Sequence, residues 1–204
     1  MKRQTEARSA KISRETKETR ISVSLNLDGT GTNSIDSGIG FRDHLLDAFA
    51  RHGRFDLLLK CEGDLSIDDH HTAEDCGLVI GKALNDALGD RQNIRRFGYA
   101  YAPLDEALAR AVIDISGRAY ADVNTVLERE RLGELSCENV GHVLQSIAAT
   151  ANITIHVDVL KGRNDHHKAE AAFKAFGLAL KDAVSCSGFD DVPSTKGRIE
   201  KGML

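Results

Sequence analysis

One short pattern occurs twice in the chain, and few folds accommodate it. His70-His71-Thr72-Ala73-Glu74 and His166-His167-Lys168-Ala169-Glu170 both read HHxxE. Each is followed at once by an apolar helical pattern: Cys76, Leu78, Val79, Ile80, Ala83, Leu84 and Leu88 after the first, Ala172, Phe173, Phe176, Leu178, Leu180 and Val184 after the second. An earlier histidine precedes each pair at nearly the same interval, since 70 − 44 = 26 and 166 − 142 = 24. A duplicated half is the economical explanation.

The elements between these marks follow the same order in both halves. Residues 8 to 16 alternate loosely and Arg20 to Leu27 alternate well, with Ile21, Val23, Leu25 and Leu27 on one face. Turn residues fill 28 to 33, a helix is predicted from Phe41 to Arg51 with Gly53 ending it, and 55 to 62 alternate as a strand. The helix behind the first histidine pair runs to about Leu88 and stops at Gly89. In the second half, Tyr99 to Pro103, Leu108 to Ile115 and Arg118 to Val123 read as strands, Ser136 to Ala149 as a helix, and Ile153 to Leu160 as a strand before the second pair. The two halves, 1–91 and 92–204, thus each read strand, strand, helix, strand, helix, and together make one compact domain. This order predicts an α+β fold with antiparallel or mixed sheets and helices packed on one face.

The bulk properties exclude some functions. A net charge of −4 with no basic block leaves no nucleic-acid footprint. The polar start of the chain holds no apolar core of a leader, and no later run approaches the roughly 18 apolar residues a membrane span requires. Cys61, Cys76, Cys137 and Cys186 lie far apart without CxxC spacing, which reads as reduced thiols in a cytoplasmic protein.

The duplicated positions bring together six imidazoles and two carboxylates. Adjacent side chains at a helix start diverge by about 100°, so the two histidines of a pair point to different places. A glutamate four residues after the first histidine shares its face, where both can bind one cation. His44, His71, His166 and Glu170 are therefore assigned to one ion, and His70, Glu74, His142 and His167 to another, the second histidine of each pair crossing to the opposite ion. Three nitrogens and one oxygen suit Mn, Fe, Co, Ni or Zn, and the lack of thiolate argues against a structural zinc. These residues alone leave open a two-metal dehydratase, a two-metal hydrolase with ions about 3.5 to 4 Å apart, and a protein whose ions only join or store.

Seven stretches carry a resemblance: Arg14 to Thr19 (RETKET), Asp43 to Asp47 (DHLLD), Asp69 to Asp75 (DHHTAED), Arg96 to Gly98 (RFG), Pro103 to Ala107 (PLDEA), His166 to Ala171 (HHKAEA) and Pro193 to Gly197 (PSTKG). In this order, over nearly the whole chain, they resemble the imidazoleglycerol-phosphate dehydratases of histidine biosynthesis. The resemblance implies duplicated halves of the ribosomal protein S5 domain 2-like kind, two manganese ions (Mn2+) per active site, and a cytoplasmic homo-oligomer of about 24 subunits with sites between neighbouring chains. It implies conversion of D-erythro-imidazole glycerol phosphate to imidazole acetol phosphate and water, through a metal-bound imidazolate and a diazafulvene-like intermediate. Glu18 is then the candidate base. The implied substrate contacts are Glu18, His44, His52, His70, His71, Arg96, Arg118, His166, Lys174, Ser194, Thr195 and Lys196, the arginines and the Ser-Thr-Lys turn suiting a phosphate dianion. Asp105 and Glu106 are candidates for orienting ligating histidines, and His156, inside a predicted strand, for a structural role.

Overall fold

The computed structural model describes residues 8–199. The first half runs β1 (Ser9–Glu15), β2 (Thr19–Asn26), β3 (Asn33–Asp36), α1 (Gly40–Gly53), β4 (Asp56–Gly63) and α2 (His70–Ala87). The second runs β5 (Phe97–Leu104), β6 (Ala107–Asp114), β7 (Tyr120–Asn124), a small hairpin of β8 (Arg131–Leu132) and β9 (Leu135–Ser136), α3 (Cys137–Ala151), β10 (Thr154–Lys161) and α4 (Asp165–Val184). Each half builds its own four-stranded sheet, in the orders β1-β2-β4-β3 and β5-β6-β10-β7. The fold is α+β with mixed sheets, as the element order predicts. One strand, β3, goes beyond those predicted from the sequence, whereas β7 overlaps the predicted Arg118 to Val123 strand; β3 and β7 run parallel to β4 and β10, whose other pairings are antiparallel.

The strands alternate as amphipathic strands do. Ile21, Val23 and Leu25 of β2, Leu57, Leu59 and Cys61 of β4, and Ile155, Val157 and Val159 of β10 are buried. All face the helices, which lie between the two sheets: α2 covers β1 and β2, α4 covers β5 and β6, and the halves meet as α2 against α3 and α1 against α4. No described helix is long and apolar enough to cross a membrane.

Close helix approach brings the two halves' histidines together. A Cβ on Gly177 of α4 would lie 2.5 Å from the carbonyl oxygen of Phe49 in α1, and one on Gly81 of α2 would lie 2.3 Å from that of Ile147 in α3. The obstacle is backbone in both cases, so it cannot swing aside. Gly177→Ala should therefore cost about 2 to 3 kcal/mol and lower the melting temperature by roughly 5–10 °C, read by circular dichroism; an unchanged melt would show that the α1–α4 contact is not tight.

The end of α1 corrects the reading of Gly53 as its terminator. The helix includes Gly53, and Arg54 takes the left-handed cap at φ 59° with its N–H on Ala50 and Arg51 oxygens. Gly53 is glycine for space, because a Cβ there would lie 2.4 Å from the Phe55 ring.

Candidate metal centre

Both HHxxE pairs start helices in the same way. The Asp68 carboxylate accepts from the His70 N–H at 2.8 Å, and the Asn164 side chain accepts from the His166 N–H at 2.9 Å. These side chains satisfy amides that the helix itself leaves without partners. The two rings of each pair then diverge, with interplanar angles of 67° for His70 and His71 and 88° for His166 and His167.

Each helix pair gathers one cluster. On α1 and α4, His44, His166 and Glu170 place one ligand atom each within 4.8 Å of one another; on α2 and α3, His70, Glu74 and His142 do the same. No residue is common to the two. In the first cluster Glu170 Oε2 lies 2.9 Å from His44 Nε2 and 3.2 Å from His166 Nε2, while Glu170 Oε1 accepts from Lys174 Nζ at 2.6 Å. Burial pushes the Glu170 carboxyl up, but Lys174 and His44 outweigh it and hold it at about 2. In the second cluster Glu74 stands 3.4 Å from His142 Nε2 and 3.9 Å from His70 Nε2. The His70 and His142 rings stack at 5.0 Å, and the buried His142 Nε2 has no hydrogen-bond partner. An orphaned nitrogen facing a carboxylate and a second imidazole is a donor set that a divalent cation satisfies.

His71 and His167 stand outside the clusters of their own chain. His71 Nδ1 donates to Asp64 at 3.0 Å, and His167 Nδ1 to Glu106 at 2.8 Å. A carboxylate only accepts, so Nδ1 carries the proton in each ring and Nε2 offers its lone pair outward. A second carboxylate flanks each Nε2: Glu18 at 3.9 Å from that of His71, Asp105 at 4.0 Å from that of His167. His70 is set similarly: its Nδ1 lies 3.1 Å from Asn139 Oδ1, and the Asn139 amide donates to the buried Asp69. The sequence suggests Glu106 and Asp105 as orienting groups; Asp64, Asn139 and Asp69 emerge only from the fold, since nothing in their spacing marks them.

Bonding to Asp64 raises the His71 pKa, and bonding to Glu106 raises that of His167. In return, the His167 bond, with backbone amides of Asn164 and Arg163, holds Glu106 at about 2 against an ordinary 4.5. The Glu106 contribution to stability is therefore complete above about pH 4.5 and fades as pH falls toward 2, whereas that of His167 is complete below its ordinary 6.5 and fades as pH rises through its raised value. NMR titration of metal-free Glu106→Gln should show the His167 pKa falling; an unmoved value would mean the bond does not govern that ring.

The remaining candidates are placed unevenly. Glu18 sits in the β1–β2 hairpin and Lys174 on Glu170, and exposed His52 of α1 is close enough to feel both Lys174 and Glu170, though burial is the larger cause of its lowered pKa. Arg96 pairs with Asp114 and donates to the Pro193 carbonyl, which ties it to the turn carrying Ser194, Thr195 and Lys196. Arg118 is exposed just before β7. Among the described residues, no hydrogen bond or ion pair joins Arg96, Arg118 or that turn to either cluster. His156 lies on β10 with its ring 3.7 Å from Asp122, outside both clusters.

The profile of the family "Imidazoleglycerol-phosphate dehydratase" matches residues 37–180. A protein of that name from Phytophthora nicotianae is 59% identical over 190 residues, covering 93% of this chain, which in turn spans 42% of that longer protein. The Prosthecochloris aestuarii dehydratase is 50% identical, with 95% of this chain and 96% of that protein covered. The crystal structure of the Staphylococcus aureus dehydratase matches with a TM-score of 0.79 at 36% identity, over 88% of this chain and 99% of that one. The Pyrococcus furiosus enzyme, solved in complex with (S)-C348, also gives 0.79, at 35% identity over 92% and 99%. With the duplicated fold and its paired clusters, these likenesses show that the chain belongs to the imidazoleglycerol-phosphate dehydratases, hydro-lyases of histidine biosynthesis.

Proposed function

We propose that the chain dehydrates D-erythro-imidazole glycerol phosphate to imidazole acetol phosphate with two divalent ions, manganese by the family resemblance, one on each cluster. The observation that carries this reading is the pair of separate three-donor clusters, each with its own carboxylate. A two-metal hydrolase needs a ligand shared between close ions, and here none is shared. Divalent ions held by His44, His166 and Glu170 and by His70, Glu74 and His142 would supply the positive charge that makes a substrate imidazole N–H acidic.

The chain's own groups do the rest. The ring proton and the neighbouring hydroxyl would leave together as water to give a diazafulvene-like species; loss of the adjacent C–H proton would then give an enol, which ketonises to imidazole acetol phosphate as the ring nitrogen regains a proton. Glu18, exposed on its hairpin and aimed at the lone-pair side of His71, is the base that takes the adjacent C–H proton. Lys174 and His52 lie on the Glu170 side, and Arg96, Arg118, Ser194, Thr195 and Lys196 provide the remaining cations and hydroxyls for the phosphate. The fourth ligand of each cluster comes from another copy of the chain, His71 completing one and His167 the other. Phe97, Tyr99, Tyr101, Val112 and Tyr120 are exposed on β5 to β7 of the second sheet; such a patch suits burial between copies, in keeping with an assembly of about 24 subunits. The buried free thiols of Cys61, Cys76 and Cys137 suit a reducing cytoplasm.

Chelator-stripped protein should form no imidazole acetol phosphate, and added Mn2+ should restore the product. Undiminished turnover after complete metal removal would defeat this reading, as would release of inorganic phosphate in place of the keto product.

A further inference from the structure

We infer that the two clusters bind divalent metal unequally, the His70–Glu74–His142 cluster filling first and the His44–His166–Glu170 cluster second. The inference rests on the metal reading above and concerns what breaks the internal symmetry. Four residues beyond Glu170 stands Lys174, and four beyond Glu74 stands Leu78. The Lys174 ammonium sits 2.6 Å from Glu170 Oε1 and is largely buried. Eight residues beyond His44 is His52, and eight beyond His142 is Thr150, whose hydroxyl turns away to the Leu78 carbonyl at 2.7 Å. The Lys174 ammonium therefore bonds the carboxylate of the first cluster, and the duplicated position in the second, Leu78, offers Glu74 no such cation.

The cost of entry also differs. In the first cluster Glu170 already accepts from Lys174 and stands within hydrogen-bond reach of His44 and His166. An ion entering there must displace the imidazole contacts of Glu170 Oε2 and remain beside the Lys174 ammonium on Oε1. In the second, Glu74 lies 3.4 and 3.9 Å from its imidazoles and His142 Nε2 has no partner. An ion entering there replaces no hydrogen bond among these groups.

Ring support points the same way. His70 is oriented by Asn139, which Asp69 holds, whereas the duplicated position of Asn139 is Phe41, which packs edge-on to His166 at 4.9 Å and offers no acceptor. A hydrogen-bonded second nitrogen raises ligand basicity and fixes the ring. For a unit charge and a divalent ion on the order of 6 Å apart, repulsion is about 1.4 kcal/mol even at the dielectric of bulk water, or about tenfold in a binding constant.

The test is an equilibrium titration of the metal-free full chain with Mn2+ and no substrate, following free aqueous Mn2+ by electron paramagnetic resonance. Two classes, one ion each per chain and at least about tenfold apart, are expected. Lys174→Met, which keeps the stem and removes the charge, should tighten the weaker class toward the other and leave the tighter one in place; Glu74→Gln should abolish the tighter class. Two indistinguishable classes in the wild-type chain, or a gap that Lys174→Met leaves unchanged, would overturn the inference while leaving the metal reading intact. Failure of the wild-type chain to bind Mn2+ at all would instead overturn the metal reading and the inference with it.

Discussion

His71→Ala is expected to lower kcat/KM by about a thousandfold or more, which is about 4 kcal/mol of transition-state stabilisation, while far-UV circular dichroism of the metal-free chain stays unchanged. The two halves of this expectation have different causes. The chemical loss follows from ligand number: each cluster gathers three donors from its own chain, and the lone-pair nitrogen of His71 faces outward, where it can complete a cluster on another copy. The structural tolerance follows from position. The His71 side chain is one-third exposed and its described partners, Asp64 and Glu18, lie on surface loops, so truncation opens no cavity in the core. Asp64→Asn should cost less, about 10- to 100-fold, because it loosens the ring's orientation and basicity without removing the ligand. Wild-type kcat/KM in His71→Ala would refute its role as a ligand.

The parts of this site legible in the sequence are those written as repetition. HHxxE appears twice, His44 and His142 precede it at matching intervals, and helix geometry alone puts each glutamate under its own first histidine; the structure has His70 with Glu74 and His166 with Glu170 accordingly. What stayed illegible depends on tertiary placement. The strand β3 is four residues, Asn-Ser-Ile-Asp, too short and polar for a periodic signal, and it exists through parallel pairing to β4. Asp64 and Asn139 are ordinary loop and helix residues until folding places their oxygens on His71 and His70. Gly53 looks like a helix stop because glycine favours left-handed caps, yet the crowding by Phe55 claims it and the cap falls to Arg54. A single chain also cannot reveal in its spacing that the second histidine of each pair points away from both of its own clusters.

That last point leads to a strong expectation for mixed assemblies. If His71 and His167 act on neighbouring copies, each active site joins His44, His166, His167 and Glu170 of one chain to His70, His71, Glu74 and His142 of another. His71→Ala damages only the second group, and Glu170→Ala only the first. Dissociated, mixed in equal amounts and reassembled with metal, the two inactive variants should regain about a quarter of wild-type activity, since half of the positions on each side of a site are intact and the two choices are independent. Mixing His71→Ala with His70→Ala should regain nothing, because every chain then carries damage in the same group. Were all eight ligands drawn from one chain, neither mixture would recover, as every chain holds a lesion. Recovery in the first mixture and not in the second would therefore show that the duplicated motif is divided between copies, with each half of one chain serving a different site.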